Sequence, residues 1–156
     1  DLSLNDIIDT ALSFAAANTR AAGIDASILY GDFFKISHQQ QYELIVSNPP
    51  YIIDAEGRVY RDGGDNLGLD LSIRIAKHAL TLLAPDGQLM LYTGVAITGT
   101  SFNPLLAELA PQLSSGLYHW SYEEIDPDVF GEELDRAEYE GVERIAAVGL
   151  IIKRLT

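Results

Sequence analysis

The chain has 156 residues, 47% of them hydrophobic, with no cysteine and with 10 Lys+Arg against 23 Asp+Glu, for a formal charge of -13. An apolar fraction near the globular average, with aromatics spread along the chain, excludes a disordered polypeptide. The missing thiols exclude disulfides, thiolate metal sites and a cysteine nucleophile, and the acidity weighs against a protein that binds by neutralising phosphates.

No apolar run approaches the roughly 18 residues of a membrane span, and the first residues carry no basic-then-apolar leader. A soluble, cytoplasmic protein without a membrane partner is the expectation.

In chain order, Leu2 to Asn5 alternates like a strand, and Ala11 to Ala22 is Ala-rich with Leu12, Ala15, Ala16 and Thr19 at helical spacing. Ala26 to Tyr30 is a second strand, closed by Gly31-Asp32. Tyr42 to Ser47 is a third, apolar enough to be buried on both faces. Ile53 to Asp70 has no period and contains Gly57, Gly63, Gly64 and Gly68, which predicts a long mobile loop. Leu71 to Leu83 places Ile73, Ala76, Leu80 and Leu83 on one helical face, and Ala84-Pro85-Asp86-Gly87 ends it with turn chemistry.

Gln88 to Thr93 is a strand, Asn103 to Leu113 a helix with Pro104 in its first turn, and Leu117 to Ile125 and Ile145 to Lys153 the last two strands. Between these last two, Tyr122 to Arg144 holds ten Asp/Glu against Arg136 and Arg144 and supplies -8 of the -13. It reads as a solvated loop or as a surface for a basic partner. The succession is that of an α/β sheet protein, with ligands expected beyond the carboxyl ends of the parallel strands, at Asp6, Asp32 and Asn48.

The most specific feature is Asn48-Pro49-Pro50-Tyr51, directly after the strand. Consecutive prolines have fixed φ and no N–H, and Asn48 before Pro49 is pushed towards extended backbone. The resulting rigid hook can present the Asn48 amide oxygen and the Pro49 carbonyl as paired acceptors for one NH2 group. Tyr51 can stack on the planar group carrying that NH2. The bland alternative is a rigid turn.

With this motif the chain resembles the doubly wound S-adenosylmethionine-dependent methyltransferases, in the branch that methylates amino nitrogens. It is most similar to the protein-(glutamine-N5) methyltransferases and their small-domain relatives. Asp6-Ile7-Ile8-Asp9-Thr10-Ala11-Leu12, Ala15-x-x-Asn18-x-x-x-x-Gly23-Ile24, Gly31-Asp32-Phe33-Phe34 and Gly63-Gly64-x-x-x-Gly68-Leu69-Asp70 extend the likeness from about Asp6 to Gly94. In the first of these, Ile8 and Asp9 stand where the family has a polar residue and a proline.

The resemblance implies S-adenosylmethionine as cofactor. Asp6 and Ile7 would lie at its ribose, Asp32 and Phe33 at its adenine, and Asn48 beside it, with Asn48, Pro49, Pro50 and Tyr51 as the catalytic group. Each cofactor residue also has a plain structural reading: Asp6 as a helix cap, Asp32 as a turn residue bonding its own backbone, Phe33 as core. The implied acceptor is a protein glutamine or a small molecule, with nucleic acid disfavoured by charge. An adenine or guanine N-methyltransferase, or a non-catalytic binding module of the same fold, are the alternatives.

No metal is implied, since His38, His78 and His119 lack ligand spacing and Glu123, Glu124, Asp126 and Asp128 match a Ca²⁺ loop only in charge. No Gly-x-Gly-x-x-Gly occurs. The resemblance implies a Rossmann-like, mostly parallel sheet of order 3-2-1-4-5-7-6 with an antiparallel C-terminal strand, here lacking its central first strand and the glycine-rich loop. Residues 1–156 are accordingly expected to be the C-terminal part of a single methyltransferase catalytic domain, binding the cofactor weakly or not at all and inactive by themselves because the glycine-rich loop is missing.

Overall fold

A computed structural model describes residues 1–38, 40–99 and 102–156. The chain divides into two compact units, Asp1–Gln39 and Gln40–Thr156, each with its own sheet.

In the first unit β1 (Leu2–Asp6) and β2 (Ala26–Tyr30) pair in parallel, with Asp6 opposite Tyr30. Parallel neighbours need a crossover, which α1 (Asp9–Ala21) supplies. Leu12 is its buried residue, and Arg20 sits in its last turn, where a cation suits the helix dipole. Asp6 is the last residue of β1, which runs one residue past the end at Asn5 expected from sequence.

The second unit holds a sheet of order β3-β4-β6-β5. β3 (Tyr42–Ser47) runs parallel to β4 (Leu83–Thr98), which pairs antiparallel with β6 (Val142–Arg154), and β6 in turn with β5 (Tyr118–Asp126). Within the first unit β1 and β2 match the adjacent strands 2 and 3 of the expected order, and within the second β3-β4-β6-β5 matches the run 4-5-7-6. The C-terminal strand is the antiparallel one. Among the described residues, no strand pairs with β3 besides β4.

One face of this sheet is dry. Leu89, Leu91 and Val95 of β4 and Ala146, Val148, Leu150 and Ile152 of β6 pack under α3 (Asp70–Leu82) and α4 (Pro104–Leu113), through Ile73, Ala76, Leu80, Leu105 and Leu109. The period-3.6 stripe of each helix puts those residues on one side. Asn103 caps α4 by accepting from Leu106 N–H at 3.0 Å, and Pro104 takes the first helical position, where its missing N–H costs nothing. A buried bond of 2.7 Å between the Ser72 and Thr93 hydroxyls ties α3 to β4.

Three expectations need correction. β3 is not buried on both faces: Ile45 meets the core, but Leu44 is 49% and Val46 68% exposed, because the helices cover only the opposite face. β4 begins at Leu83 instead of Gln88, because the Ala84-Pro85-Asp86-Gly87 turn is taken up as a bulge between the Tyr42–Leu83 and Leu44–Gln88 pairs, with Asp86 at φ 60°. The segment read as a mobile loop is internally bonded and includes the short turn α2 (Asp65–Gly68), whose Asn66 and Leu67 are left-handed.

Candidate functional site

In the first unit, the two strand ends are stitched together. Gly31 N–H donates to Asp6 O at 3.0 Å, and the Asn5 side-chain NH2 donates to Leu29 O and Gly31 O at 2.8 and 2.9 Å. Gly31 adopts φ +139°, a conformation side chains resist, so the chain can turn straight into Asp32. Asp6 and Asp32 therefore share the carboxyl end of the β1-β2 pair.

Both carboxylates make local turn bonds. Asp6 Oδ1 accepts from Ile8 N–H at 2.8 Å, and Asp32 Oδ1 accepts from Phe34 N–H at 3.0 Å while its Oδ2 lies 3.2 Å from Lys35 Nζ. A carboxylate has about four lone-pair sites, so the turn bond orients each group without exhausting it. Ile7 is 48% exposed. Phe33 is half-buried against Phe34 and His38, with ring centroids 5.7 and 5.1 Å away.

In the second unit, Asn48 follows β3 exposed to solvent, Pro49 is buried, and Pro50 and Tyr51 are half-buried. The glycines of the following segment form the floor of this hook. Gly63 N–H donates to Ile52 O at 2.9 Å, a side chain at Gly63 would meet Pro50 O at 2.8 Å, and one at Gly68 would meet Tyr51 O at 2.6 Å. Gly68 also has φ +86°, so two separate constraints demand glycine there. The left-handed Leu67 is offset by packing its side chain into the small cluster of Ile52, Tyr139 and Ile145.

Tyr51 lies over the uncovered sheet face, its ring filling the space a side chain on Gly94 would need. Tyr92 and Phe130 flank it, at centroid distances of 6.5 and 6.1 Å. Burial, and then Tyr92, raise the Tyr51 phenol above its ordinary range, so it stays neutral. Phe130 has φ 57°, uncommon for a bulky residue, and is fixed by Val129 N–H to Ile145 O at 2.7 Å on one side and Glu133 N–H to Phe130 O at 2.9 Å on the other.

The acidic stretch is only partly solvated. Glu123, Glu124, Asp126 and Asp128 are exposed, but Glu133 and Tyr139, in 3-10 turns at Gly131–Asp135 and Ala137–Tyr139, are buried. Glu133 pairs with Arg61 and, at 2.8 Å, with Arg136. Arg136 Nη1 also donates to Ile53 O at 2.8 Å, and Ile53 N–H donates to the Tyr139 hydroxyl at 2.9 Å. Asp54 completes the network by accepting from Arg58 N–H and Nε at 2.8 and 3.0 Å. The Arg58 guanidinium holds its carboxyl well below the usual range, at about 2.

Of the residues singled out from sequence, Asp6, Ile7, Asp32 and Phe33 fall together in the first unit, and Asn48, Pro49, Pro50 and Tyr51 in the second. Sequence reading missed Asn5, Tyr92, Gly94, Phe130, Glu133, Arg136 and Tyr139. None belongs to a local pattern that marks it.

The model of the methyltransferase small domain matches residues 1–110. A ribosomal protein uL3 glutamine methyltransferase of Bradyrhizobium diazoefficiens is 37% identical over 103 residues, which are 57% of this chain and 32% of that protein. A release factor glutamine methyltransferase of Enterococcus faecalis is 28% identical over 118 residues, 69% of this chain and 42% of that one. The chain thus spans less than half the length of either relative.

Among solved structures, Trm5b from Pyrococcus abyssi has a TM-score of 0.64 at 12% identity, covering 99% of this chain and 37% of its own. The N-methyltransferase NodS from Bradyrhizobium japonicum, crystallised with S-adenosyl-L-homocysteine, gives 0.56 at 15%, covering 98% of this chain and 66% of its own. Identities this low speak for the fold alone. With more than half of its length matched by the family model, the chain belongs to the methyltransferase small domain family.

Proposed function

We propose that the protein is an S-adenosylmethionine-dependent N-methyltransferase whose acceptor is an amide nitrogen, in the first instance a protein glutamine. The observation that carries this reading is the Asn48-Pro49-Pro50-Tyr51 hook, rigid at the carboxyl end of β3 and backed by the glycine floor. The acceptor class rests on the relatives described as glutamine methyltransferases. The charge of -13 favours a protein over a nucleic acid.

The acceptor set of the first unit fits the nucleoside half of the cofactor. Asp6 is oriented by Ile8 N–H and keeps acceptor capacity for ribose hydroxyls, with Ile7 exposed beside it. Asp32 is fixed by its turn as an acceptor for an adenine amino group, with Phe33 alongside. When bound, S-adenosylmethionine supplies a methyl group activated on a sulfonium sulfur.

The chain's own task is then orientation. The Asn48 amide oxygen and the Pro49 carbonyl accept from the two N–H bonds of the acceptor and turn its lone pair towards the methyl carbon. Those bonds strengthen as the nitrogen gains positive charge, which lowers the barrier in the way fixed dipoles do. Holding the reacting atoms in line adds a proximity effect of several kcal/mol.

Transfer of tritiated methyl from S-adenosylmethionine to purified ribosomal protein uL3 and to a release factor, by the intact gene product that carries residues 1–156, tests the reading. Asn48→Ala is expected to lower turnover by roughly 10² or more, as loss of one positioned polar group does. Unchanged turnover in that variant, or no transfer by the unsubstituted protein to either acceptor, overturns it.

A further inference from the structure

The acidic stretch lies beyond the residues that the family model matches, yet it reaches the hook at two points. Ile53, two residues after Tyr51, has both backbone groups gripped. Its N–H donates to the Tyr139 hydroxyl at 2.9 Å, and its carbonyl accepts from Arg136 Nη1 at 2.8 Å. Phe130, from the same stretch, sets its ring 6.1 Å from Tyr51.

The grip is itself braced. Tyr139 is 1% exposed, so its hydroxyl cannot swing away. Arg136 is held by Glu133, which is 6% exposed and pairs also with Arg61, a residue of the loop that follows the hook. Leu134 and Val129 pack on the Ile52, Tyr139 and Ile145 cluster and anchor the stretch at either side of these contacts.

With Glu133 buried and both arginines partly exposed, such an ion pair is a poor source of net stability, since desolvation of the carboxylate offsets much of its Coulomb gain. It does fix geometry. One set of fully directed bonds on one residue next to the hook is what a positioning device needs, because misplacement by about 1 Å costs on the order of 10²-fold in rate.

We infer that Arg136 and Tyr139, braced by Glu133, are positioning residues that clamp Ile53 and thereby hold Tyr51 and the paired acceptors in register for methyl transfer. This rests on the function proposed above. The clamp acts through the backbone and touches neither cofactor nor acceptor.

Tyr139→Phe deletes only the hydroxyl and leaves the buried ring. It is expected to speed hydrogen exchange of the Ile53 amide and, at temperatures well below melting, to lower kcat about 10-fold, while the melting temperature falls only slightly and the affinity for S-adenosylhomocysteine stays as in the unsubstituted protein. Arg136→Ala is expected to lower kcat likewise, with a larger drop in melting temperature because Glu133 loses one of its two cations, and Arg136→Lys, which keeps a cationic donor, to recover part of both losses. Wild-type kcat in Tyr139→Phe, unchanged protection of the Ile53 amide, or a loss that merely follows melting in every variant overturns the clamp. If the unsubstituted protein transfers no methyl group, the functional reading fails and the positioning role fails with it, whatever the exchange data show.

Discussion

Gly94 shows how much one residue decides near the hook. It sits in the middle of β4, opposite Ala147, with no left-handed backbone to demand glycine, and its requirement comes from the Tyr51 ring pressed onto it. Alanine there must displace that ring, and an extra methyl in a filled space typically costs 1–3 kcal/mol. We expect Gly94→Ala to lose about that much in urea unfolding, and the double variant Gly94→Ala/Tyr51→Ala to lose less than the two single losses combined, since the clash is then gone. Strict additivity would contradict the contact. The hook itself was legible because Pro49 and Pro50 fix their own backbone. Gly94, Tyr92 and Phe130 were not, since each matters only through a ring distant in sequence.

At the scale of elements, hydrophobic periods located every strand and the three long helices, with errors at their ends where turn chemistry is absorbed into a strand, as at Ala84-Pro85-Asp86-Gly87. Charge was a poorer guide. The acidic stretch is exposed at Glu123 to Asp128 but buried at Glu133 and Tyr139, because Arg61 and Arg136 compensate a carboxylate that composition counts only as solvating. The segment after the hook behaves similarly: Asp54 closes its turn by taking Arg58, and its carboxyl is depressed to about 2. A depressed carboxyl stabilises the fold fully above its unfolded value, and that contribution is lost as pH falls through the folded one. Stability from this turn is therefore expected to be constant near neutrality and to fall between about pH 4 and about pH 2. Asp54→Asn should flatten that limb of an acid titration followed at the Arg58 amide; an unchanged titration would assign the limb to other carboxylates.

For the molecule as a whole, the resemblance made the strand order within each unit readable, as β1-β2 in the first and β3-β4-β6-β5 in the second. Burial was not readable, because an apolar strand looks the same whether or not something covers it. Val46, Met90 and Ile151 are register neighbours across three strands, and all are exposed, at 68, 38 and 38%. The helices cover the other face only. In a parallel pair, alternate residues direct their backbone groups to opposite sides of the strand, so with β4 on one side half of the β3 amides face away from any described partner. Hydrogen exchange should therefore split β3 into a protected and a fast-exchanging alternate set, while β4 from Leu89 to Leu91, paired with β3 and with β6, is protected throughout. Uniform protection along Tyr42–Ser47, equal to that of β4, would mean that a further strand occupies this edge in solution. The face that carries Val46, Met90 and Ile151 is a separate matter from that edge, and Val46→Asp is expected to stay within the roughly 0.5 kcal/mol typical of surface changes; a larger loss in urea unfolding would mean that another layer packs on this stripe.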